Sequence, residues 1–425
     1  MHPPRARLLA ALAAAAVAVQ ACGFFHVREQ QAKIDAACPI AGSVRVDDGG
    51  KAPLVVLLAR LTGEDPARRD SWQLADHFVL EGAGRWAFAA GAGRYALAAF
   101  ADLNSDLVYQ PNEPFLRLDP AQLLTCTAGQ SFKDLALVVP ARGRQRDSDT
   151  LDIARLQART LQDQLHATLG QVTAIGETAA LSDARFSEEN AENGLWRPFD
   201  FLFDARPGVY FLEPYDPKKI PVLFVHGING TPRNFEPLIA RLDRTRFQPW
   251  VYYYPSGAHL DAIADHLAQT IGKLHLRYGF DQLPVVAHSM GGLVSRSFLQ
   301  RYRAAGGRAR TPLFISLSTP WGGHRAAEMG VRTSPVVVRV WEDMAPSSKY
   351  LASLFASPLP AGTVHHLFFT INDQTVAPAS QLRRDAQREA VRLYGFDESH
   401  MGVLGNAEVS ALVNALLMQY GTLVP

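Results

Sequence analysis

The sequence has few cysteines, no clear excess of charge of either sign, and no short motif that would hold a catalytic metal or a nucleotide. It carries 42 Lys and Arg against 41 Asp and Glu, a formal net charge of +1. A dedicated nucleic-acid-binding protein normally carries a basic excess, so no nucleic-acid partner is expected. No His-x-x-x-His pair or Cys-His cluster occurs, and no nucleotide-binding glycine loop is apparent. A metallohydrolase therefore lacks support, and catalysis is expected to need no cofactor.

The length and composition predict a globular protein with more than one domain. The chain has 425 residues, of which 48% are hydrophobic and 20% are charged. These proportions allow a sizeable core, and the length favours two domains.

The N-terminus has the features of an export signal. Arg5 and Arg7 form a short positive region, and residues 8–19 form an apolar run that is too short to span a bilayer comfortably. The run ends in VQAC, which resembles the lipobox of bacterial lipoproteins. The resemblance implies that residues 1–21 are a signal peptide and that Cys22 is lipidated. An ordinary secretory signal is the alternative.

The residues after this segment indicate where the protein would be held. Gly23 follows the cysteine, and by resemblance to Gram-negative sorting rules this favours the outer membrane. The expected location is the cell envelope, with a lipid anchor in the membrane and the protein facing the periplasm or the surface. Residues 22–37 are predicted to be a polar tether. Cys38 and Cys126 then remain as an even pair in an oxidising compartment, which predicts a disulfide.

Residues 38–140 are predicted to form a small antiparallel β-sandwich. Their hydrophobic periodicity is close to two, in short runs such as PLVVLLARL, HFVLEG and RYALAAFAD that Gly, Asp and Pro interrupt. No nucleophile with a partner base is found here, which favours an accessory or docking module.

One loop of this region has the spacing of a calcium loop. Asp102, Asn104, Asp106 and Glu113 place oxygen ligands at loop positions 1, 3, 5 and 12. Leu107 stands where the usual glycine would be. The sequence therefore leaves two interpretations open, a structural calcium site and a turn stabilised by Asx hydrogen bonds.

The second half of the chain has the pattern of an α/β domain. Residues 141–207 are predicted to be a charged linker and a helical segment, the latter at about 151–169. Residues 208–425 alternate between strands, such as IPVLFVHG and LPVVAHS, and helices, such as LDAIADHLAQTIGKLHLRY. This alternation indicates a mostly parallel sheet flanked by helices.

Ser289 lies at one of the strand-to-helix junctions, in PVVAHSMGGLVSR. In a nucleophile elbow the turn is so tight that the residues two before and two after the serine must be small. Here they are Ala287 and Gly291, so the usual first glycine is replaced by the next smallest residue. The alternative is a serine that caps an ordinary helix.

With FVHGINGTP at residues 224–232, this junction resembles the α/β-hydrolase lipases and esterases, especially the GPI-inositol-deacylase-like and bacterial lipase group. The resemblance covers roughly residues 208–425. It implies that the N–H groups of Ile228 and Met290 form an oxyanion hole. It also implies structural rather than catalytic roles for His226 and His288.

The same resemblance extends to an acid and a base. Asp373 lies in TINDQTVAP after a strand, and His400 lies in DESHMGVL before the last helix. The order Ser289, Asp373, His400 is the one expected for this fold. Asp397 is the rival for the acid.

Two further segments match the family. STPWGGH, at residues 318–324, follows the next strand, and a cap is expected around 325–358. The apolar run at 336–341 is interpreted as part of that cap rather than as core.

The function that follows is a serine hydrolase that cleaves carboxylic esters, with an ester or lipid-like small molecule as substrate. An acyltransferase, a thioesterase or an amidase would use the same triad. A non-catalytic binding lipoprotein is a further alternative, although the complete Ser-Asp-His set argues against it. The sequence leaves the oligomeric state open.

Overall fold

The computed structural model describes residues 26–116, 121–141, 151–152 and 173–421. Cys22 and the predicted signal peptide lie outside these residues. The described chain begins in a helix at residues 26–35 rather than in the predicted polar tether. Val27 and Gln30 of this helix are buried, and the Gln30 side chain accepts a hydrogen bond from the Asp200 N–H at 3.0 Å. The helix therefore packs onto the second half of the chain instead of acting as a spacer.

The N-terminal domain is a sandwich of two small sheets. Its strands are β1 (Cys38–Val46), β2 (Leu54–Leu61), β3 (Trp72–Leu80), β4 (Gly84–Ala90), β5 (Gly93–Ala101), β6 (Val108–Tyr109), β7 (Phe115–Leu116), β8 (Leu124–Cys126) and β9 (Phe132–Val139). One sheet has the order β4-β1-β9 and the other β3-β2-β5-β7, with β8 also paired to β5. All of these pairs are antiparallel except β1 with β9, which run parallel. The sandwich is thus mostly, not wholly, antiparallel.

The core of the sandwich follows from the period-two pattern of its strands. Alternate residues of β1, including Ile40 and Val44, are buried with Val56 of β2 and Trp86 of β4. The predicted disulfide between Cys38 and Cys126 is confirmed, with 5.6 Å between the two Cα atoms. It joins the start of β1 to the end of β8.

The loop with calcium-like spacing is a hydrogen-bonded turn. Asp102 accepts hydrogen bonds from the N–H groups of Asp106 and Leu107, and Glu113 accepts them from Leu103 and Gln110. Burial raises the pKa of both carboxyl groups. Within the described residues no group of three or more His, Cys, Asp or Glu could hold a metal ion. These hydrogen bonds are those of an Asx turn, and the calcium site stays a prediction.

The region between the domains is described only in part. Leu151–Asp152 forms a short strand, β10, antiparallel to β6, where the sequence predicts the start of a helix. The rest of the predicted helical segment lies outside the described residues.

The second domain is built on an eight-stranded, mostly parallel sheet, as predicted. The strand order is β11-β12-β14-β13-β15-β16-β17-β18, and only β12 with β14 is antiparallel. The strands are β11 (Ala174–Thr178), β12 (Gly208–Phe211), β13 (Ile220–Val225), β14 (Phe247–Tyr253), β15 (Val285–His288), β16 (Leu313–Leu317), β17 (Val364–Thr370) and β18 (Arg392–Phe396). Because β11 belongs to this sheet, the domain begins near residue 173 rather than at the predicted 208.

Helices cover both faces of this sheet. They are Glu188–Trp196, Pro198–Asp204, Glu236–Ala240, Leu260–Tyr278, Met290–Ala304, Arg325–Thr333, Arg339–Met344, Lys349–Leu354, Pro378–Gln381, Arg384–Glu389, Gly402–Gly405 and Ala407–Tyr420. Every residue of β13 is buried, and alternate residues enter two different core clusters, Leu223 and Val225 in one and Val222 and Phe224 in the other. Burial on both faces of the sheet thus explains why a strand such as IPVLFV is apolar at every position. None of the described helices is long and apolar enough to cross a membrane.

The segment predicted to form a cap contributes to the core. Val338 and Val340 are buried in the same cluster as Leu223 and Val225, and the Trp341 ring packs edge-on against Trp196 at 5.8 Å. The interpretation of residues 336–341 as cap rather than core is therefore wrong for these two valines.

The sandwich contacts helices Leu260–Tyr278 and Met290–Ala304. These helices come before and after β15, the strand that precedes Ser289. Leu276 of helix Leu260–Tyr278 packs on an apolar cluster of β2, β3 and β5. The buried carboxylate of Glu81 lies 3.0 Å from His275 Nδ1 and accepts a hydrogen bond from the Tyr302 hydroxyl at 3.1 Å. The accessory domain is thereby fixed to the domain that holds the candidate site.

Candidate active site

Ser289 occupies the sharp turn between β15 and helix Met290–Ala304. Its φ is +55°, a backbone conformation that non-glycine residues rarely adopt, and its N–H donates to the Leu317 carbonyl at 2.8 Å. A Cβ at Gly291 would lie 2.2 Å from the Val225 carbonyl oxygen, and one at Gly227 would lie 2.8 Å from the Ser289 Cβ. A side chain at Gly291 would collide with the backbone at the end of β13, and one at Gly227 would collide with the Ser289 side chain.

Two N–H groups beside Ser289 have no acceptor. Within residues 173–421, neither Ile228 nor Met290 donates a backbone hydrogen bond. For Met290 this follows from its place in the first turn of a helix, where N–H groups have no intrahelical partner. The Ile228 loop is held by its neighbours, because the Asn229 N–H donates to Ser256 Oγ at 3.0 Å. Both groups can therefore bind an anion that forms beside the serine.

His226 supports this loop as a neutral ring. Its Nδ1 donates to the Gly227 carbonyl at 2.8 Å, and the ring stacks on Tyr254 with 4.2 Å between centroids. The Tyr254 hydroxyl donates to the His226 carbonyl. Burial lowers the pKa of His226 to about 4, so the ring carries no charge near neutral pH.

His400 and Asp373 form a hydrogen-bonded pair. His400 Nδ1 lies 2.7 Å from Asp373 Oδ2, and the Asp373 side chain is completely buried. Burial by itself would raise the pKa of Asp373, but hydrogen bonds from the Val376 N–H and the His400 ring outweigh it, and the net shift is downward. Within residues 173–421 no hydrogen bond or ion pair joins Asp397 to His400, and Asp397 accepts a hydrogen bond from the Asn372 side chain. The structure thus pairs His400 with Asp373.

His288 connects this pair to the elbow. It precedes Ser289, its Nε2 donates to the His400 carbonyl at 2.8 Å, and the two rings lie 4.7 Å apart. Burial and the nearby His400 lower the pKa of His288 to about 3. A neutral His288, the residue before Ser289, therefore binds the backbone of His400.

Two side chains that the sequence did not single out contact the acid, and a third residue supports one of them. Thr370 and Gln381 donate to Asp373 Oδ2 at 2.8 and 3.0 Å, and Ser318 lies 3.0 Å from the Thr370 hydroxyl. Thr370 could have been noticed as the last residue of the strand before Asp373. Gln381 follows Asp373 by eight residues in an unremarkable stretch, and no sequence pattern indicates its role.

A family model described as the alpha/beta hydrolase fold matches residues 220–328. The fold is that of the α/β-hydrolases. The matched segment runs from β13 into helix Arg325–Thr333 and includes the elbow, whereas Asp373 and His400 lie beyond it.

Solved structures similar to this chain include lipases and esterases. The chain is 17% identical to Aspergillus fumigatus lipase B, with a TM-score of 0.41 over 50% of this chain and 56% of that one. It is 15% identical to a mature Bacillus licheniformis lipase, with a TM-score of 0.41 over 51% and 98%. For a Pyrococcus furiosus esterase the identity is 15% and the TM-score 0.38, over 51% and 87%. No curated protein matches.

Proposed function

We propose that this protein is a serine hydrolase that cleaves carboxylic esters through an acyl-enzyme. The observation that carries the proposal is the 2.7 Å pair of His400 and Asp373. His288 donates to the His400 carbonyl, and the next residue in the chain is Ser289, whose φ is +55°. Such a pair activates a serine hydroxyl, which is a poor nucleophile on its own.

Each residue has one task in this mechanism. His400 takes the proton of the Ser289 hydroxyl as the oxygen attacks the ester carbonyl, and later gives that proton to the leaving alcohol. Asp373 fixes the ring with its proton on Nδ1 and stabilises the imidazolium. The N–H groups of Ile228 and Met290 bind the oxyanion. Water then attacks the acyl-enzyme with His400 again as base, and no cofactor takes part.

An apolar acyl chain fits the surroundings of these residues. Ile371 precedes Asp373 by two positions and is 54% exposed, and Met401 follows His400 and is 49% exposed. Large apolar side chains are normally buried, and two exposed ones close in sequence to the acid and the base support a site that takes apolar material. We therefore take the substrate class to be an ester or a lipid-like small molecule.

The export and anchoring of the protein belong to the same proposal. A disulfide between Cys38 and Cys126 suits an oxidising compartment, and this supports passage into the cell envelope. Lipidation of Cys22 would then anchor the enzyme in the membrane. A clickable fatty acid fed to cells should label the wild type and leave Cys22→Ser unlabelled, and equal labelling of both proteins would contradict the anchor.

The catalytic proposal is tested with a fluorophosphonate probe and p-nitrophenyl esters of increasing chain length. The wild type should be labelled and should hydrolyse esters, whereas Ser289→Ala and His400→Ala should do neither while remaining folded. Ser410→Ala is a matched control, because Ser410 is equally buried and bonds only the Asn406 carbonyl of its own helix. Labelling of Ser289→Ala would refute the proposal.

The same assay separates the related activities. Thioester and amide substrates identify a thioesterase or an amidase, and a faster reaction with an added alcohol identifies an acyltransferase. Absence of both labelling and turnover in the folded wild type would favour a binding lipoprotein.

A further inference from the structure

Asp373 Oδ2 accepts more hydrogen bonds than the orientation of His400 requires. Besides His400 Nδ1, it accepts one from the Thr370 hydroxyl at 2.8 Å and one from Gln381 Nε2 at 3.0 Å. Thr370 and Gln381 are both completely buried. The other carboxylate oxygen, Oδ1, accepts the N–H groups of Thr375 and Val376 at 2.9 and 2.8 Å. Five donors therefore surround one buried carboxylate.

The orientation of the Gln381 amide is fixed by its neighbours. Its oxygen accepts the Thr370 N–H at 2.9 Å, and a backbone N–H can only donate. The amide oxygen must therefore face Thr370. The amide nitrogen then lies 2.7 Å from the Val376 carbonyl and 3.0 Å from both Asp373 Oδ2 and the Thr370 hydroxyl oxygen, so its two hydrogens serve these three acceptors.

The Thr370 hydroxyl is oriented by a similar argument. It has one proton, and an ionised carboxylate can only accept, so this proton lies toward Asp373. Ser318, which is also completely buried, lies 3.0 Å from the Thr370 oxygen and can donate to it. Ser318, Thr370 and Asp373 thus form a chain in which each hydrogen bond strengthens the next.

We infer that Thr370 and Gln381 are positioning residues that limit how strongly Asp373 attracts the proton of the protonated His400 ring. This inference rests on the proposed function. Donors on Oδ2 share its negative charge, so less of that charge acts on the imidazolium. His400 must be neutral to accept the Ser289 proton, so these donors extend activity toward lower pH.

Other titratable groups near the pair are engaged elsewhere. The His288 ring contacts His400, and His324 bonds the Thr375 carbonyl. Asp397 bonds Asn372, and Glu398 bonds Asn406. Within residues 173–421 none of these four side chains forms a hydrogen bond with Thr370 or Asp373, so removing the Thr370 hydroxyl breaks none of their bonds.

The test is Thr370→Val in the full-length protein, because valine removes the hydroxyl at nearly constant volume. The expected result is an acid limb of kcat/KM that moves to higher pH by about 0.5 unit or more. The ring signal of His400, labelled with ¹³C-histidine and assigned with His400→Gln, should titrate at a midpoint raised by the same amount. Thr370→Ser keeps the hydroxyl and should return both midpoints toward wild type.

A matched control removes a buried threonine hydroxyl far from the acid. Thr311 bonds only the Thr363 hydroxyl, where β16 and β17 begin, and Thr370 lies where β17 ends. Thr311→Val should leave the His400 titration unchanged. If Thr370→Val does not fold, Ser318→Ala replaces it, with a smaller upward shift expected.

The outcomes separate this inference from the proposed function. An unchanged His400 titration in folded Thr370→Val, or in Ser318→Ala if that variant is needed, overturns the inference. A shifted titration in a protein that turns over no ester supports the positioning role and contradicts the ester hydrolase.

Discussion

Replacing Gly291 by alanine tests the contact between the elbow and strand β13. The added Cβ would lie 2.2 Å from the Val225 carbonyl oxygen and 2.5 Å from that of His226. Both atoms are backbone, so the helix that follows Ser289 must move away by roughly 1 Å, and such overpacking typically costs about 1–3 kcal/mol. Alanine recovers about 1 kcal/mol through its higher helix propensity. The expected net loss is therefore about 0–2 kcal/mol, or up to several degrees in Tm.

The effect on catalysis should be larger than the effect on stability. A displacement of about 1 Å between nucleophile and oxyanion donors can reduce the rate by about 100-fold. Gly272→Ala is the control, because Gly272 lies inside helix Leu260–Tyr278 and nothing lies within 4 Å of an added Cβ. That variant should gain about 0.5–1 kcal/mol and keep its activity. Thermal melting measures the stability of the two variants, and probe labelling and ester turnover measure their activity. If Gly291→Ala melts and reacts like the wild type, the close contact does not constrain the site.

Three other predictions concern the acid, the disulfide and pH. Asp373→Asn should lower kcat by about 10⁴-fold because the imidazole tautomer is no longer fixed, and Asp397→Asn should have little effect; the reverse order of damage in steady-state kinetics would make Asp397 the acid. The Cys38→Ser, Cys126→Ser double variant should lose about 2–5 kcal/mol of stability in urea unfolding of the sandwich, and an unchanged midpoint would contradict a stabilising disulfide. His226, His266, His288 and His365 have pKa values lowered by burial to about 4, 3, 3 and 3 from 6.5. Below pH 6.5 the unfolded chain binds protons that the folded protein excludes, so the free energy of unfolding should fall as pH decreases from about 6.5 to about 4; constant stability over that window would show that these rings are not held neutral.

The sequence by itself determined the features that local pattern encodes. Period-two runs gave the sandwich strands, and continuous apolar runs such as IPVLFV gave strands that are buried on both faces. The helix LDAIADHLAQTIGKLHLRY lies at Leu260–Tyr278 as predicted, since its apolar spacing is helical and Gly279 ends it with a φ of +62°. Of the three cysteines, the two that remain once Cys22 is assigned to lipidation were enough to predict the disulfide.

The tertiary structure alone decided which of these pieces meet. Strand β11 is five residues long and joins the large sheet only through pairing with β12, so no pattern in the sequence places the domain boundary before it. Val338 and Val340 became core because helices and strands distant in sequence surround them, a contact that hydrophobicity alone does not specify. Asp397 is close to His400 along the chain, and Asp373 is close to it in the folded protein. Only the packing of β17 against β18 decides which carboxylate reaches the ring. The donors Thr370 and Gln381 converge on that carboxylate for the same reason, because a hydrogen bond between distant residues depends on the folded backbone and not on their spacing in sequence.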